Sequence, residues 1–219
     1  CVAGISSWNQ DNGSYDCLNI IPGLPKERYL HRAQAICHHI STFYLQQAFD
    51  TLINSYIDDK IGIAQHFIPK ELANALRANL KLLYQENSMQ AAGTGNEGVD
   101  HNKLFRSDVI YWLDRKHHND HEDEFFDLMD KFVQYLNESC YTSVTNYEFH
   151  YALYQPGTFY KKHTDQFKTD DRRQFSMIIY LTENWQQGDG GELSLYLSTG
   201  TKNIIPGNDH TVFFKSSEL

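Results

Sequence analysis

The spacing of apolar residues changes two thirds of the way along this chain, and that change limits the folds open to it. Residues 67–86 carry an apolar residue every three or four positions, which is the period of one helical face. The stripe consists of Leu72, Leu76, Leu80 and Leu83. Pro69 suits the first turn, where its missing N–H costs nothing. Similar spacing predicts helices over residues 26–56 and 122–137.

Beyond residue 146 the period becomes two, which is typical of strands. Four segments show it: residues 147–154, 175–185, 191–197 and 208–216. The intervening residues 186–191 and 199–208 are predicted to be turns, and residues 1–25 to be loop. Helices followed by short strands predict an α+β chain whose helices pack outside an antiparallel sandwich or open barrel.

Composition narrows the function. The 219 residues suffice for one domain with a helical extension, and the formal net charge of -9 weighs against a nucleic-acid-binding protein. Cys1, Cys17, Cys37 and Cys140 form no CxxC pair, so free thiols in a reducing compartment are expected, which predicts a cytoplasmic protein. No apolar run has the length of a membrane span.

The segment YKKHTDQF contains His163 and Asp165, two candidate metal ligands. On an extended strand, residues i and i+2 point to the same side, so the imidazole and the carboxylate would converge. One further histidine would complete the 2-His-1-carboxylate face of the non-haem Fe(II) oxygenases. An isolated HxD is most often a surface loop pair, so the motif alone leaves both interpretations open.

The surrounding segments favour the metal site. YQPGTFYKKHTDQF, RRQFSMIIYLTENW and GDGGELSLYL, in this order, resemble the prolyl 4-hydroxylase type of Fe(II)/2-oxoglutarate dioxygenases. Upstream, FRSDVIYWLD resembles the Arg-x-Asp-x-Ile-x-Trp segment of the subgroup that contains the hypoxia-sensing prolyl hydroxylases and their bacterial relatives. The helix with PKELANALR fits that subgroup's N-terminal scaffold. The resemblance covers residues 48–219, and residues 1–47 form an N-terminal extension, a loop and then a helix.

The resemblance implies a double-stranded β-helix of the jelly-roll or cupin-like kind with N-terminal supporting helices, and it implies roles for individual residues. The metal ligands and catalytic residues would be His163 and Asp165. The co-substrate 2-oxoglutarate would be bound by Tyr154, Tyr180, Ile178 and Leu193. Contacts with substrate or with the loop over it would come from Arg173, Arg106, Asp108 and Tyr160. The Gly-rich residues 88–102 would form that loop, a lid over the substrate.

Each role has a structural alternative. Tyr154 and Tyr180 fit the core equally well if their hydroxyls are hydrogen-bonded. Arg106 and Asp108 could form a surface ion pair, and Arg173 could lie in a solvated turn. HHNDHEDE, residues 117–124, groups histidines with carboxylates, but we expect a solvated loop leading into a helix with acidic residues at its start.

The resemblance also implies a distal histidine and a 2-oxoglutarate-binding arginine shortly after a segment like VFFKSSEL, which here is the last of the sequence. His210 precedes that segment. We therefore expect a chain truncated before those two residues. The implied reaction uses Fe(II), 2-oxoglutarate and O₂, with ascorbate as an optional addition. It hydroxylates a prolyl residue of a protein at C4 and gives succinate and CO₂. The alternatives are a hydroxylase of another amino acid or a small molecule, and a non-catalytic barrel that binds peptides.

Overall fold

The computed structural model describes residues 2–3, 26–93, 104–166, 173–207 and 210–217. Its three α-helices are α1 (Lys26–Asp59), α2 (Lys70–Gln85) and α3 (Asp120–Ser139), with a short 3₁₀-helix at Arg115–His117. Its strands are β1 (Val2–Ala3), β2 (Ile61–Gln65), β3 (Gln90–Ala91), β4 (Val109–Trp112), β5 (His150–Leu153), β6 (Phe175–Ile179), β7 (Leu193–Leu197), β8 (Gly200–Ile204) and β9 (His210–Lys215). The predicted α+β composition is confirmed.

The α2 and α3 predictions are confirmed, and both helices begin where local chemistry favours it. Pro69 is the N-cap of α2, and Leu72, Leu76 and Leu80 are buried along its stripe. Asn119 caps α3, since its side-chain oxygen accepts hydrogen bonds from the N–H groups of His121 and Glu122. Acidic residues follow in the first turn of α3, where the helix dipole favours negative charge.

Helix α1 runs without a break through residue 47, where the sequence predicts the end of an N-terminal extension. Among the side chains described on this helix, those from residue 43 onward, the first fully buried one is Phe49. Contact with the rest of the domain therefore strengthens close to the predicted boundary, and the division itself stays a prediction. In the described part of the chain no helix is both long and apolar enough to cross a membrane.

Three antiparallel sheets are formed by the described strands. Their strand orders are β1-β5-β4-β3, β2-β9-β6 and β7-β8. The three-stranded sheet lies between two apolar clusters, because side chains alternate across it. On β6, Met177 and Ile179 face the helices, whereas Ile178 and the following Tyr180 face the opposite cluster. The candidate site lies on this second face.

The sequence pattern missed several strands. Ile61–Gln65 comes directly after α1, and its five residues are too few to separate a strand from a helix end by periodicity. Gly62 allows this strand to approach α1, because a Cβ there would lie 2.6 Å from the Leu52 carbonyl oxygen. The predicted turn 199–208 contains β8, and the predicted loop 1–25 contains β1, which pairs with β5. The rest of residues 1–25 lies outside the described residues.

Burial along α2 predicts unequal effects of two leucine substitutions. Leu76 is fully buried, whereas Leu82 on the same helix is 50% exposed. Leu76→Ala should lower the free energy of unfolding by about 2–5 kcal/mol, because it leaves a cavity in the core. Leu82→Ala should change it by less than about 0.5 kcal/mol. Urea denaturation followed by circular dichroism checks both, and equal losses would contradict the packing described.

Candidate functional site

His163 and Asp165 meet in the structure. The Nε2 atom of His163 lies 3.0 Å from Oδ1 of Asp165, and about a quarter of each side chain is exposed (27% and 26%). The Nδ1 atom of His163 lies 2.7 Å from the Lys161 carbonyl oxygen, which can only accept, so Nδ1 carries a proton and donates it to that oxygen. Imidazole nitrogen and carboxylate oxygen are ligands that suit non-haem Fe(II), and the pair fits two positions of such a site.

The expected strand geometry around this pair is wrong. Residues 161–166 form no ladder strand, and only an isolated bridge between Tyr160 and Arg106 precedes them. The segment is instead held by hydrogen bonds from Gln166, whose N–H donates to the Ser216 carbonyl at 3.1 Å and whose side-chain amide donates to the Arg173 carbonyl at 3.0 Å. The C-terminal end of β9 therefore lies beside the His163–Asp165 pair.

The surroundings of Asp165 favour an ionised carboxylate. Burial by itself raises the pKa of this carboxyl, but hydrogen bonds from His163 and Ser176 and the positive charge of Arg173 lower it more. The net pKa of Asp165 is below its ordinary value. Ser176 in turn shares a hydrogen bond of 2.9 Å with Ser216, so β6 and β9 both contribute to this side of the site.

Arg106 and Asp108 form a buried pair. Two hydrogen bonds of 2.7 and 2.9 Å join the guanidinium to both carboxylate oxygens, and the side chains are 13% and 0% exposed. Burial disfavours the charge on Arg106, but the hydrogen bonds and the negative charge of Asp108 outweigh it and raise the pKa of Arg106. The alternative of a surface ion pair is therefore wrong, because water does not screen this one.

Tyr160 contacts both Arg106 of this pair and the candidate metal ligand His163. Its ring stacks on the imidazole of His163, with centroids 3.6 Å apart and an interplanar angle of 18°. The guanidinium carbon of Arg106 lies 4.4 Å from the centroid of the same ring. The three side chains thus follow one another from the buried carboxylate of Asp108 to the candidate iron ligand.

The residues predicted to bind 2-oxoglutarate lie on two facing clusters. The first apolar cluster lies on the face of the sheet β2-β9-β6 that points away from the helices, and it contains Tyr180, Ile178 and Leu193. In the second cluster, Tyr154 packs against Ala92, Ile110 and Ala152. Burial raises the pKa of both tyrosine hydroxyls, and each also faces an electrostatic neighbour: Asp108 for Tyr154, and Tyr154 for Tyr180. Both phenols therefore keep their proton at neutral pH and can donate it to a carboxylate.

Arg173 lies close enough to Asp165 for its charge to lower the pKa of that carboxyl, and its Nη2 is 2.6 Å from Oε1 of the exposed Glu148. His150, which lies near Arg173 on β5, was not among the residues predicted from the sequence. Its ring packs 4.8 Å from the exposed Trp112, and it lies on the same strand face as Ala152. Burial first, then the charge of Arg106, lower the pKa of His150 to about 4. The alternation in YEFHYALY could have found it, because His150 precedes Tyr154 by four residues.

Residues 149–219 match the family model of the 2OG-Fe(II) oxygenase superfamily. The chain carries a 2OG-Fe(II) oxygenase domain. The matched range includes both candidate metal ligands and all four candidate 2-oxoglutarate-binding residues, whereas Arg106 and Asp108 lie before it. The domain is that of a 2-oxoglutarate-dependent dioxygenase, and its family implies Fe(II), 2-oxoglutarate and O₂.

Two solved structures extend the similarity over most of the chain. A prolyl-4-hydroxylase from Pseudomonas putida is 29% identical with a TM-score of 0.69, and the match covers 78% of this chain and 88% of that one. A prolyl hydroxylase in complex with a hypoxia inducible factor peptide fragment, from Trichoplax adhaerens, is 20% identical with a TM-score of 0.71, covering 81% and 82%. The prolyl 4-hydroxylase type and the double-stranded β-helix fold are confirmed.

Two other histidines, His210 and His117, lie away from the His163–Asp165 pair. His210 begins β9, and its Nε2 lies 2.9 Å from the side-chain amide of Gln65, beside Tyr180 and at the opposite end of the strand from Ser216. His117 contacts buried Glu122, which also accepts from Asn79. In the part of the chain that the structure describes, no three His, Cys, Asp or Glu side chains form a metal-binding group. Residues 94–103, most of the predicted lid, lie outside the described ranges.

The buried pair predicts a large cost for losing Asp108. Asp108→Ala leaves the Arg106 guanidinium buried without its carboxylate, so the free energy of unfolding should fall by about 3–5 kcal/mol. Asp59→Ala is the matched control, since Asp59 pairs with Lys202 at 2.9 Å and is 61% exposed. That variant should lose no more than about 1 kcal/mol. Denaturant titrations of the two variants measure the difference, and similar losses would show that the Asp108 pair is not desolvated.

The lowered pKa of His150 predicts a pH dependence of stability. Its pKa in the folded chain is about 4, below the ordinary histidine value of about 6.5. Folding therefore opposes protonation, and this contribution is complete above about pH 6.5 and is lost as pH falls towards 4. His150→Gln should lose less stability than the wild type between about pH 7 and about pH 5, whereas the exposed His118→Asn should follow the wild type. Equal slopes in urea denaturation for His150→Gln and wild type would refute the assignment.

Proposed function

We propose that this oxygenase domain hydroxylates a prolyl residue of a protein substrate, at C4, with Fe(II) and 2-oxoglutarate. The observation that carries the proposal is the convergence of His163 Nε2 and Asp165 Oδ1 to 3.0 Å. These two residues would hold the iron, with Asp165 as the anionic ligand and His163 as the neutral one. When bound, Fe(II) with 2-oxoglutarate and O₂ supplies the oxidising chemistry that converts a C–H bond into C–OH, with succinate and CO₂ as the other products.

A third protein ligand would complete the proposed iron site. A facial 2-His-1-carboxylate site takes one more histidine. Because the Gln166 N–H donates to the Ser216 carbonyl, Ser216 lies close to the His163–Asp165 pair. His210 lies at the other end of β9, beside Gln65, so we do not assign it as this ligand.

Tyr154 and Tyr180 would bind 2-oxoglutarate. Both hydroxyls are protonated and can donate to the carboxylate that is remote from the metal. Ile178 and Leu193 pack in the same apolar cluster as Tyr180 and would contact the methylene groups of the co-substrate. These partly buried side chains would keep water from the reacting atoms. Ascorbate would serve as an added reductant.

A protein substrate is supported by the mouth of the site and by the similar structures. The described residues at the mouth include the Arg173–Glu148 pair and the exposed Trp112, a mixture of charged and aromatic groups that suits a peptide. One similar structure is a prolyl-4-hydroxylase, and the other contains a hypoxia inducible factor peptide. Arg173 would contact the substrate.

The metal pair is tested by following 2-oxoglutarate turnover. With Fe(II) and ascorbate, the wild-type chain should form succinate, and His163→Ala should form no more than a sample without protein, because one of the iron ligands is lost. His210→Ala is the matched control and should keep the wild-type rate. Succinate formation that is equal in wild type and His163→Ala would remove the proposed iron site. Mass spectrometry of proline-containing peptides, paired with the same peptides carrying alanine, then tests the substrate class by the gain of one oxygen atom.

A further inference from the structure

The ring of Tyr160 packs against two other functional side chains. The imidazole of His163 stacks nearly parallel to it, with ring centroids 3.6 Å apart. The guanidinium carbon of Arg106 lies 4.4 Å from the centroid of the same ring, within the range of cation–π attraction. The ring is therefore in direct contact with both the candidate metal ligand and the buried ion pair.

The guanidinium that covers Tyr160 is itself fixed. Two parallel hydrogen bonds join Arg106 to both oxygens of Asp108, and such a bidentate pair sets the plane as well as the position of the guanidinium. The carboxylate of Asp108 is fully buried, so the pair cannot exchange its partner for water. Arg106 therefore forms a rigid support under the ring.

Backbone hydrogen bonds also join the segments that carry Arg106 and Tyr160. Arg106 and Tyr160 form an antiparallel bridge, and hydrogen bonds of 2.9 Å run from the Lys161 N–H to the Phe105 carbonyl and from the Ser107 N–H to the Phe159 carbonyl. The Lys161 carbonyl then accepts from Nδ1 of His163 at 2.7 Å. Besides the contact of Nε2 with Asp165, two contacts restrain the imidazole: this hydrogen bond restrains its rotation, and the stack on Tyr160 restrains its plane.

We propose that Tyr160, supported by the Asp108–Arg106 pair, is a positioning residue that holds the His163 imidazole in the orientation needed to bind the metal. The inference rests on the proposed function, since it assigns to His163 the role of a ligand. In this proposal the aromatic ring of Tyr160 orients His163, and its hydroxyl is not required. It therefore differs from the substrate contact that the sequence resemblance implies for Tyr160.

Separating the ring from the hydroxyl tests the proposal. Tyr160→Phe keeps both faces of the ring, and Tyr160→Leu removes them while leaving an apolar side chain. With Mn²⁺ alone as the probe, in the full chain, Tyr160→Leu should bind about 10–100-fold more weakly, as is typical when a group that orients a metal ligand is lost. Tyr160→Phe should match the wild type. Tyr44→Leu, at an exposed tyrosine on α1, is the matched control and should also match it.

A second measurement reads the stack directly and needs no metal. In the metal-free chain, ring current from Tyr160 should move the carbon-bound ring protons of His163 upfield in proton NMR spectra, with the resonances assigned by their loss in His163→Ala. The upfield position should persist in Tyr160→Phe and disappear in Tyr160→Leu. Thermal unfolding of each variant establishes that the chain is folded under the conditions used.

The outcomes separate this inference from the proposed function. Wild-type Mn²⁺ binding that is unchanged by His163→Ala would refute the iron site itself. Binding that depends on His163 but is equal in wild type and Tyr160→Leu would overturn the positioning role alone. Weak binding by Tyr160→Phe as well as Tyr160→Leu would assign the effect to the hydroxyl and would also overturn it. An unshifted His163 proton resonance in the wild type would show that the stack does not form.

Discussion

The alternation of side chains across β6 and β9 is the constraint on which the site depends. Phe213 packs towards the helices, whereas Val212 and Phe214 pack on the opposite face. Because the period of a strand is two, the same strand contributes to the core on one face and to the candidate site on the other. Ser176, which donates to Asp165, and Tyr180, which lies near Tyr154, are four residues apart on the face that carries the candidate site. A shift of register by one residue would exchange the two faces and destroy both the core and the site.

Burial and charge together set the polar groups around these two strands. Asp108 is fully buried, and Arg106 binds both of its oxygens. Burial raises the pKa of Asp165, but hydrogen bonds from His163 and Ser176 and the charge of Arg173 outweigh it and lower the pKa. Burial raises the pKa of Tyr154 and Tyr180, so both keep their protons at neutral pH. One region of the domain thus combines a buried ion pair, an ionised carboxylate and two neutral donors.

Much of the fold could be predicted from the sequence, because helical stripes and period-two segments are local signals. Leu76 on α2 and Ile178 on β6 occupy the faces expected from their spacing. The strands β1 and β2 could not be found this way, since they have two and five residues and pair with β5 and β9, which are distant in sequence. Strand β8 pairs with the neighbouring β7, but its residues GTKNI carry no period-two apolar pattern. His150 was missed for a related reason: its environment comes from Trp112 and Arg106, about 40 residues upstream.

The sequence by itself determined the chemistry on offer: an imidazole and a carboxylate two residues apart, tyrosines at fixed offsets from them, and an arginine two residues before an aspartate. It determined these because residue type and local spacing are properties of the chain. Only the tertiary structure decided that residues 161–166 leave the strand ladder, that Tyr160 packs against both Arg106 and His163, and that β9 ends beside Asp165. Those features depend on which segments pack against each other, and packing joins groups that no local pattern links.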